Sequence, residues 1–424
     1  MFSLLSLIYF VFFSIAIRSL ERNNWVLILA FFCAAYCFYF VLAKLSREQS
    51  RNKIFYVGIL LRIGVIFTLP IFSDDFYRFL WDGFLVSEGH SPYELTPVIW
   101  KTAHFVQQEE ILFIFDHLNS KEYFSVYPFA LQFLFLIPWL IGIKNLFFQV
   151  ACLQLILLGF DIFCLYLFKK SKTSIETFWI YAGNPILILE TASQIHFEVI
   201  VLLLLLLFLR KDGRNQSYLS GFFYALILQI KLNFILIFPV ILKEKNIKIR
   251  LINVMFVIFS ILILSFTVFA NVHTQLESGI GLFFHSFRFH SLFEQIIYLC
   301  LMPFPNYLYL SGSISMLLGG MFYLVLLIQF EFTAEVNVMI GLLVFLLVSP
   351  VVHSWYIIPF VGLSFYFQYH TQLSIILSIF SAISYLSYGI SGPLFTIGFG
   401  ILEILVLGVY VWKKKPLSFL QKIP

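Results

Sequence analysis

Charge is scarce in this sequence, since only 12% of its 424 residues are Asp, Glu, Lys or Arg. Soluble globular proteins carry roughly a quarter charged residues and are about half apolar. Here 61% of the residues are hydrophobic and the mean hydropathy is +0.95. Apolar runs of membrane-spanning length recur from Met1 to Trp412. The composition therefore excludes a soluble domain and predicts an all-α integral membrane protein with many spans.

Metal-ligand spacings, repeats and linkers are absent as well. The five cysteines all lie in apolar segments and lack the spacing of metal ligands. The sequence has no internal repeat and no low-complexity linker, which predicts a single integral membrane domain over residues 1–424. We expect a large extracytoplasmic loop at 73–124 and a cytoplasmic tail at 413–424. The net charge of +5 reflects loop bias and does not indicate a nucleic-acid partner.

Basic clusters predict the topology. The positive-inside rule places five of them in the cytoplasm: 44–53, 169–172, 210–214, 243–250 and 413–422. Full crossings by 125–143 or 218–242 would violate this arrangement. We therefore expect a re-entrant or interfacial helix at 125–143 and two half-helices at 218–242, broken at Lys231 and packed against protein. About twelve full spans then leave both termini in the cytoplasm.

Under this topology the polar connections converge on the outer face. They are 73–124, 193–198, 271–292 and 352–356. The first is predicted to hold amphipathic interfacial helices, punctuated by Pro92 and Pro97.

The segment Ser73–Gly83 concentrates three carboxylates and one arginine directly after an apolar span. Asp74, Arg78 and Asp82 are spaced to share one helix face. One interpretation is structural: Ser73 caps an interfacial helix and Arg78 pairs with Asp74. The other is functional, with a carboxylate base at the membrane surface held by the arginine. The two interpretations are compatible, because Asp75 can serve the helix end while Asp74 reacts.

Two cations lie at membrane depth, Arg62 in the third apolar segment and Lys231 at the break in 218–242. A buried cation needs an anionic partner or a wet cavity. The structural alternative is an ion pair, with three candidate partners: Asp161, Glu190 and Glu403. The functional alternative is a clamp for the phosphate of a lipid carrier.

Polar and aromatic side chains accompany the predicted outer turns. His196 and Glu198 flank a turn and suit hydrogen bonding to a sugar or phosphate better than metal binding, because a lone His-x-Glu is a weak metal signal. His353, Trp355 and Tyr356 predict either a sugar-stacking surface or an aromatic belt at the membrane interface.

Together these stretches resemble the GT-C superfamily of glycosyltransferases that use sugars on lipid phosphates. They are most similar to its bacterial mannosyltransferase-like members and to GPI mannosyltransferase I. The matching stretches follow the family order: Ser73–Gly83 with Ser91-Pro92-Tyr93, Tyr127-Pro128, Asp161, Asn184-Pro185 with Glu190, His196 and Glu198, Lys231 with Pro239, and His353–Tyr356. The departures from the family pattern are Phe84, Phe129, Ile195, Glu198 and Ser354.

The resemblance implies a GT-C-like fold and an inverting transfer of a hexose, mannose above all. The donor would be a sugar on a polyprenyl or dolichyl phosphate, and the acceptor a lipid-linked glycan or another glycan at the outer membrane face. Asp74 would be the catalytic base, with Asp75 as the alternative. The implied phosphate-binding residues are Arg78, Lys231 and Arg288. The implied sugar- or acceptor-binding residues are Asp82, His196, Glu198, His353 and Tyr356.

This chemistry requires no cofactor, because a cationic clamp can stabilise the departing phosphate. A divalent metal is an alternative that the sequence does not favour, and no residue is assigned to a metal. We expect the protein in the cytoplasmic membrane of a bacterium rather than in the endoplasmic reticulum.

The alternative function is a transporter or flippase of lipid-linked sugars, which uses similar buried cations and broken helices. A transporter predicts repeats and a midplane site, whereas this sequence has a one-sided polar cluster.

Overall fold

The computed structural model describes residues 1–104, 108–212, 215–216, 218–279, 281–285, 287–390 and 393–414. The described chain is helical, as the sequence predicts, apart from one antiparallel pair of two-residue strands, β1 (Lys211–Asp212) and β2 (Asn215–Gln216). Most of the predicted cytoplasmic tail at 413–424 lies outside the described residues.

The helices of the amino-terminal half include three short ones in the predicted loop at 73–124. In chain order they are α1 (Phe2–Ser19), α2 (Trp25–Ser46), α3 (Arg51–Val65), α4 (Asp75–Ser87), α5 (Pro97–Ala103), α6 (Glu109–Asp116), α7 (Phe129–Leu140), α8 (Leu146–Lys170), α9 (Ile175–Ala182), α10 (Pro185–Ile188), α11 (Glu198–Phe208), α12 (Ser220–Leu228) and α13 (Pro239–Leu242). A π-helical turn follows α10 at Leu189–Ser193, and a 3₁₀ helix precedes α13 at Leu232–Ile237.

The remaining helices alternate between long apolar segments and short connections. They are α14 (Ile247–Phe266), α15 (Val272–Ser278), α16 (Gly281–His285), α17 (Phe293–Leu301), α18 (Ser311–Gln329), α19 (Ala334–Val348), α20 (Ile358–Phe367), α21 (Thr371–Ser384) and α22 (Pro393–Lys414). Three further 3₁₀ helices occupy Pro305–Leu310, Ser354–Ile357 and Tyr385–Tyr388.

The protein is a multi-pass membrane protein by the length and composition of its helices. Among the described residues, six helices are long and apolar enough to cross a bilayer: Phe2–Ser19, Trp25–Ser46, Leu146–Lys170, Ile247–Phe266, Pro305–Gln329 and Thr371–Tyr388. A seventh span results if Pro185–Ser193 and Glu198–Phe208, which meet at 109°, count as one. The predicted total of about twelve exceeds this number and stays a prediction.

Polar residues in the connections start several of these helices. A side-chain oxygen just before the helix accepts a hydrogen bond from a backbone N–H of the first turn, which otherwise has no partner. The residues that do this are Asn24, Ser50, Thr96, Asn145, Ser174, Asn184 and Asn246. Pro185 follows Asn184 at the first helical position, where a proline loses no hydrogen bond.

Arg51 joins the start of α3 to the end of α8. Its guanidinium donates to the carbonyls of Phe168, Lys169, Ser171 and Thr173 at 2.6–3.0 Å. The first two carbonyls belong to the last turn of α8, where acceptors lack intrahelical partners, and the other two follow directly after the helix. Two of the predicted cytoplasmic basic clusters are therefore adjacent in space.

At the opposite ends of α3 and α8, glutamine side chains join two chain segments. Gln194 accepts backbone N–H groups from Ile71 and Phe72 at 3.1 and 2.9 Å. Gln154 donates to the carbonyls of Thr68 and Ser193. The residues that lead into Ser73–Gly83 therefore contact the turn before His196.

The other predicted outer connections meet in the same region, which we call the loop face. The backbone of Phe124 donates to the carbonyl of Ser278, and Val352 donates to Phe289 at 2.7 Å. His196 stacks on Trp355. The predicted convergence of 73–124, 193–198, 271–292 and 352–356 is thus confirmed as a spatial cluster.

Helix α7 packs along α4 on this face. The indole of Trp139 donates to the carbonyl of Leu80 at 2.9 Å, and Gly83 lies so close to Phe135 that a Cβ would overlap its carbonyl oxygen. A connection of five residues then leads from α7 to the start of α8, whose far end lies at Arg51. This path agrees with an interfacial helix at 125–143.

The segment 218–242 is broken at the predicted position. Helix α12 ends at Leu228, Lys231 has an extended backbone, and the 3₁₀ helix Leu232–Ile237 leads into α13. The hydroxyl of Tyr224 in the first arm donates to the carbonyl of Phe234 in the second at 2.9 Å. The two arms therefore contact each other, with Lys231 at the tip between them.

Candidate active site

Asp74 and Asp75 are neighbours in sequence with different surroundings. Asp74 is the residue before α4, and its carboxylate lies 2.5 Å from the guanidinium of Arg22 in the turn between α1 and α2. Arg22 also lies over the ring of Tyr388, 4.3 Å from the ring centre. Both members of the ion pair are partly exposed, at 34% and 41%. Although partial burial disfavours its charge, the bond to Asp74 raises the pKa of Arg22 overall.

Asp75 begins α4 and interacts with groups on the interior side. Its carboxylate accepts a hydrogen bond from Asn119 at 3.4 Å. It also lies within electrostatic range of Lys231, His196 and Tyr356. Asp74 is therefore held in an ion pair with Arg22, whereas Asp75 has no ion pair in the described ranges and lies within electrostatic range of Tyr388 as well as of the residues that the sequence assigns to the phosphate and the sugar.

The helix that carries these carboxylates starts differently from the prediction. Asp74, not Ser73, holds the position directly before α4, and its side chain makes no capping bond. The hydroxyl of Ser73, one residue further back, accepts the N–H of Asp75, the first residue of the helix, at 3.3 Å. Tyr77 lies one turn further on, and burial together with the nearby carboxylate of Asp74 raises the pKa of its phenol.

Arg78 pairs with Asp82 instead of the predicted Asp74. The Nε of Arg78 lies 2.7 Å from Asp82, and both side chains are buried. Arg78 also donates to the carbonyls of Ser120 and Tyr123, and Asp82 accepts from the hydroxyl of Ser125 at 2.5 Å. These bonds secure α4 to the end of the 73–124 loop. A phosphate-binding role for Arg78 and a sugar-binding role for Asp82 remain predictions. In this structure both side chains bond to other groups of the protein.

Lys231 pairs with Glu198. Their Nζ and Oε1 atoms are 2.6 Å apart, and the ammonium also lies 4.6 Å from the ring centre of Tyr356. None of the three carboxylates proposed from the sequence is this partner. The side chain of Lys231 is 26% exposed whereas that of Glu198 is 3% exposed, so the lysine retains an accessible side. An ammonium has three donors, which leaves capacity for a second acceptor.

Arg62 is neutralised by Asp161, one of its three predicted partners. Their Nε and Oδ2 atoms are 2.5 Å apart, and both side chains are almost completely buried. Asp161 also accepts hydrogen bonds from Tyr181 and from Thr191 in the π-helical turn. The ion-pair alternative for Arg62 is therefore confirmed. Its network supports the backbone on both sides of Glu190.

Glu190 binds His196 instead of a buried cation. Its Oε2 lies 2.6 Å from Nδ1 of His196, and its Oε1 accepts a hydrogen bond from the hydroxyl of Tyr385. All three side chains are buried. Glu403, the third predicted partner, lies 2.5 Å from His290.

Trp355 has no free face for a sugar. The rings of His196 and His353 are nearly parallel to it, with centroids 3.7 and 4.2 Å from its own. Two rings at these distances cannot share one face, so they cover opposite faces. Phe289 then stacks on His353 at 4.8 Å. The predicted sugar-stacking surface is wrong for Trp355, whereas the edges of the two imidazoles remain available for hydrogen bonds.

Arg288 forms a separate group on the loop face. Its guanidinium lies 2.9 Å from the buried carboxylate of Glu294, and it donates to the carbonyl of Leu308 and the hydroxyl of Ser311. The structure thus assembles Asp75, Lys231, Glu198, His196 and Tyr356, and it engages Arg288 elsewhere. A phosphate role for Arg288 stays a prediction.

No group of three or more His, Cys, Asp or Glu side chains that could hold a metal ion occurs in the described ranges. The expectation that the reaction needs neither metal nor cofactor is a separate matter and remains a prediction.

Residues 15–244 match the model of the MptA_B family, described as Alpha-(1->6)-mannopyranosyltransferase, N-terminal domain. The match covers more than half of the chain and contains the Ser73–Gly83 segment, His196, Glu198 and Lys231. No curated protein and no solved structure matches the chain. The chain belongs to this mannosyltransferase family, and the protein is a glycosyltransferase with a sugar donor and a glycan acceptor as substrates.

Two residues of the candidate site cannot be identified from the sequence around them. Arg22 meets Asp74 across 52 positions, and Tyr385 meets Glu190 across 195. An arginine beside a membrane exit and a tyrosine in an apolar segment are both common, so nothing near either residue identifies its partner.

Proposed function

We propose that the protein transfers mannose from a prenyl-phosphate carrier to a hydroxyl group of a glycan or glycolipid, forming an α-(1→6) linkage with inversion. The family description supports the sugar and the linkage. Inversion then requires a β-linked donor, because the anomeric configuration changes once in a single displacement. Membership in a transferase family favours this chemistry over the flipping of lipid-linked sugars.

Asp75 is the base in this proposal. The single observation that carries it is that one of the two neighbouring carboxylates forms an ion pair and the other forms none within the described residues. Asp74 is bound by Arg22, whereas Asp75 lies within electrostatic range of Lys231 and His196. A base must reach the acceptor hydroxyl while the donor phosphate lies nearby, which favours the carboxylate that shares a region with a lysine. This assignment reverses the order of preference that the resemblance implies.

Lys231 is the phosphate clamp. The donor is a phosphodiester, and its departure as a prenyl phosphate monoester adds negative charge to the leaving oxygen. A partly exposed ammonium at the tip of a broken segment can meet that charge while Glu198 and Tyr356 hold it in place. Glu198 also limits the net positive charge of the empty site.

The reaction is one displacement. Asp75 accepts the proton of the acceptor hydroxyl as its oxygen forms a bond to C1 of mannose. The bond between C1 and the phosphate oxygen breaks, and its electron pair leaves with the prenyl phosphate beside Lys231. We place this reaction at the outer face of a bacterial cytoplasmic membrane, where nucleotide sugars are not supplied and a lipid-linked donor is needed.

Purified protein in lipid nanodiscs tests the proposal. It should transfer mannose from a short-chain prenyl-phosphate β-mannose to a mannoside acceptor, and the matched nucleotide donor, GDP-mannose, should be inactive. The C1–H1 coupling constant of the product should identify an α-mannoside. A β-mannoside would contradict inversion from this donor, and transfer from GDP-mannose alone would contradict the lipid carrier.

A further inference from the structure

Glu190 engages one ring nitrogen of His196 and is itself held by Tyr385, whereas the other ring nitrogen has no partner in the described part of the chain. Oε2 of Glu190 lies 2.6 Å from Nδ1 of His196, and the hydroxyl of Tyr385 donates to Oε1 of the same carboxylate. Nε2 of His196 is buried and has no hydrogen-bond partner within the described part of the chain. The side chain as a whole is 3% exposed. An unpaired buried ring nitrogen is costly in a finished fold, so it points to a ligand.

The geometry allows two protonation patterns, because either Nδ1 of His196 or the carboxyl group of Glu190 can carry the shared proton. With the carboxylate ionised, Glu190 accepts from Tyr385 with one oxygen and from Nδ1–H of His196 with the other, and this is the pattern that the nitrogen NMR experiment tests. A neutral imidazole with its proton on Nδ1 carries a lone pair on Nε2. Trp355 covers one face of the ring, which restricts its rotation. The free edge of His196 is therefore a fixed hydrogen-bond acceptor.

The position of this acceptor favours the sugar of the donor. His196 lies two residues before Glu198, the partner of Lys231, and within electrostatic range of both. In the proposed reaction Lys231 holds the phosphate, and mannose is bonded directly to that phosphate. A hydroxyl of the transferred mannose is thus a hydrogen-bond donor that the reaction brings into this region.

We propose that Glu190 and Tyr385 are positioning residues that hold His196 as the Nδ1–H tautomer, so that Nε2 accepts a hydrogen bond from one hydroxyl of the transferred mannose. This inference rests on the proposed function, and it adds a hydrogen bond that selects the sugar. The π-helical turn Leu189–Ser193 contributes by placing Glu190 opposite the turn that carries His196. Such turns interrupt regular helices at functional sites.

Two variants of His196 separate its nitrogens. The amide of His196→Gln reaches the place of Nε2, whereas the amide of His196→Asn reaches only the place of Nδ1. We expect His196→Asn to lose about tenfold in kcat/KM, the value of one neutral hydrogen bond, and His196→Gln to keep more of it. Glu190→Gln, whose amide donates to Nδ1 and moves the ring proton to Nε2, should lose less than His196→Asn, because a sugar hydroxyl can also accept a hydrogen bond from Nε2–H.

Monodeoxy donors distinguish positioning from a general structural role. Wild-type protein should lose about tenfold in kcat/KM with one monodeoxy prenyl-phosphate mannose, relative to the complete donor. His196→Asn should use these two donors equally well, and Glu190→Gln should discriminate between them less than the wild type does. Variants that lose the same factor with every donor would overturn the inference. Lost discrimination among monodeoxy acceptors instead of donors would also overturn it.

Nitrogen NMR of isotope-labelled histidine in the full-length protein tests the tautomer without any reaction. Nε2 of His196 should show the shift of an unprotonated ring nitrogen in the wild type and of a protonated one in Glu190→Gln. An unprotonated Nδ1 in the wild type would overturn the inference. Absence of transfer by the wild type would overturn the proposed function instead, and the NMR result would still decide the state of His196.

Discussion

Removing the charge of Asp161 should destabilise the protein strongly. Arg62 and Asp161 form an ion pair with a contact of 2.5 Å, and their side chains are 0% and 1% exposed. Asp161→Asn keeps the size of the side chain but leaves the buried guanidinium of Arg62 without a counter-ion. Breaking a buried pair from one side costs about 3–5 kcal/mol. We expect a loss of this size in the free energy of unfolding.

The loss should also reach the site. Asp161 accepts a hydrogen bond from Thr191 at 2.6 Å, and Arg62 donates to the carbonyl of Ala182 at 2.7 Å. These contacts lie before and after Glu190 in sequence. A variant that folds should therefore show a lower kcat in addition to lower stability.

Titration of the purified protein in mixed micelles with a denaturing detergent measures the change in free energy. Glu176→Gln is the matched control, because it removes one carboxylate from the surface pair with Arg47, and it should leave stability unchanged. The double variant Arg62→Met with Asp161→Leu should be more stable than Asp161→Asn, because no unpaired charge remains. Wild-type stability of Asp161→Asn would refute this reasoning, as would a double variant that is less stable than the single one.

Two further predictions concern packing and the donor phosphate. Gly83→Ala should abolish correctly folded protein, because the new Cβ would overlap the carbonyl oxygen of Phe135. Gly159→Ala is the control and should fold normally, because its Cβ meets open space. Size-exclusion chromatography after extraction compares the two variants. Lys231→Met should raise the inhibition constant of free prenyl phosphate at least about tenfold, as expected when a charged hydrogen bond is lost. An unchanged inhibition constant would remove Lys231 as the clamp.

The sequence predicted the features that are encoded locally. Lys231-Leu232-Asn233 interrupts an apolar segment, and the structure breaks there. The basic clusters, through the positive-inside rule, predicted that the polar connections share one face, and their contacts confirm that these connections lie together. The residues of the site were therefore largely identifiable as a set.

The partners within that set could not be predicted. Lys231 pairs with Glu198, which was assigned to the sugar, because helix directions and rotamers decide which carboxylate meets the ammonium. Arg78 pairs with Asp82 and not with Asp74, although each carboxylate is four positions from the arginine. Asp82 is buried beside Ser125, whereas Asp74 contacts Arg22. The predicted count of about twelve spans is not confirmed either, because six described helices, or seven with the bent pair, reach spanning length and several other apolar helices are shorter than a bilayer requires.

The central claim, that Asp75 removes the proton, is tested most directly by comparing Asp75→Asn with Asp74→Asn. Both variants remove one charge from adjacent positions of the same helix start, so each controls for the other. With prenyl-phosphate β-mannose, kcat of Asp75→Asn should fall about 10²–10⁴-fold, the contribution of a general base. Asp74→Asn should lose less than about tenfold, as expected for a partly exposed ion pair. The reverse order of the two losses would contradict the account.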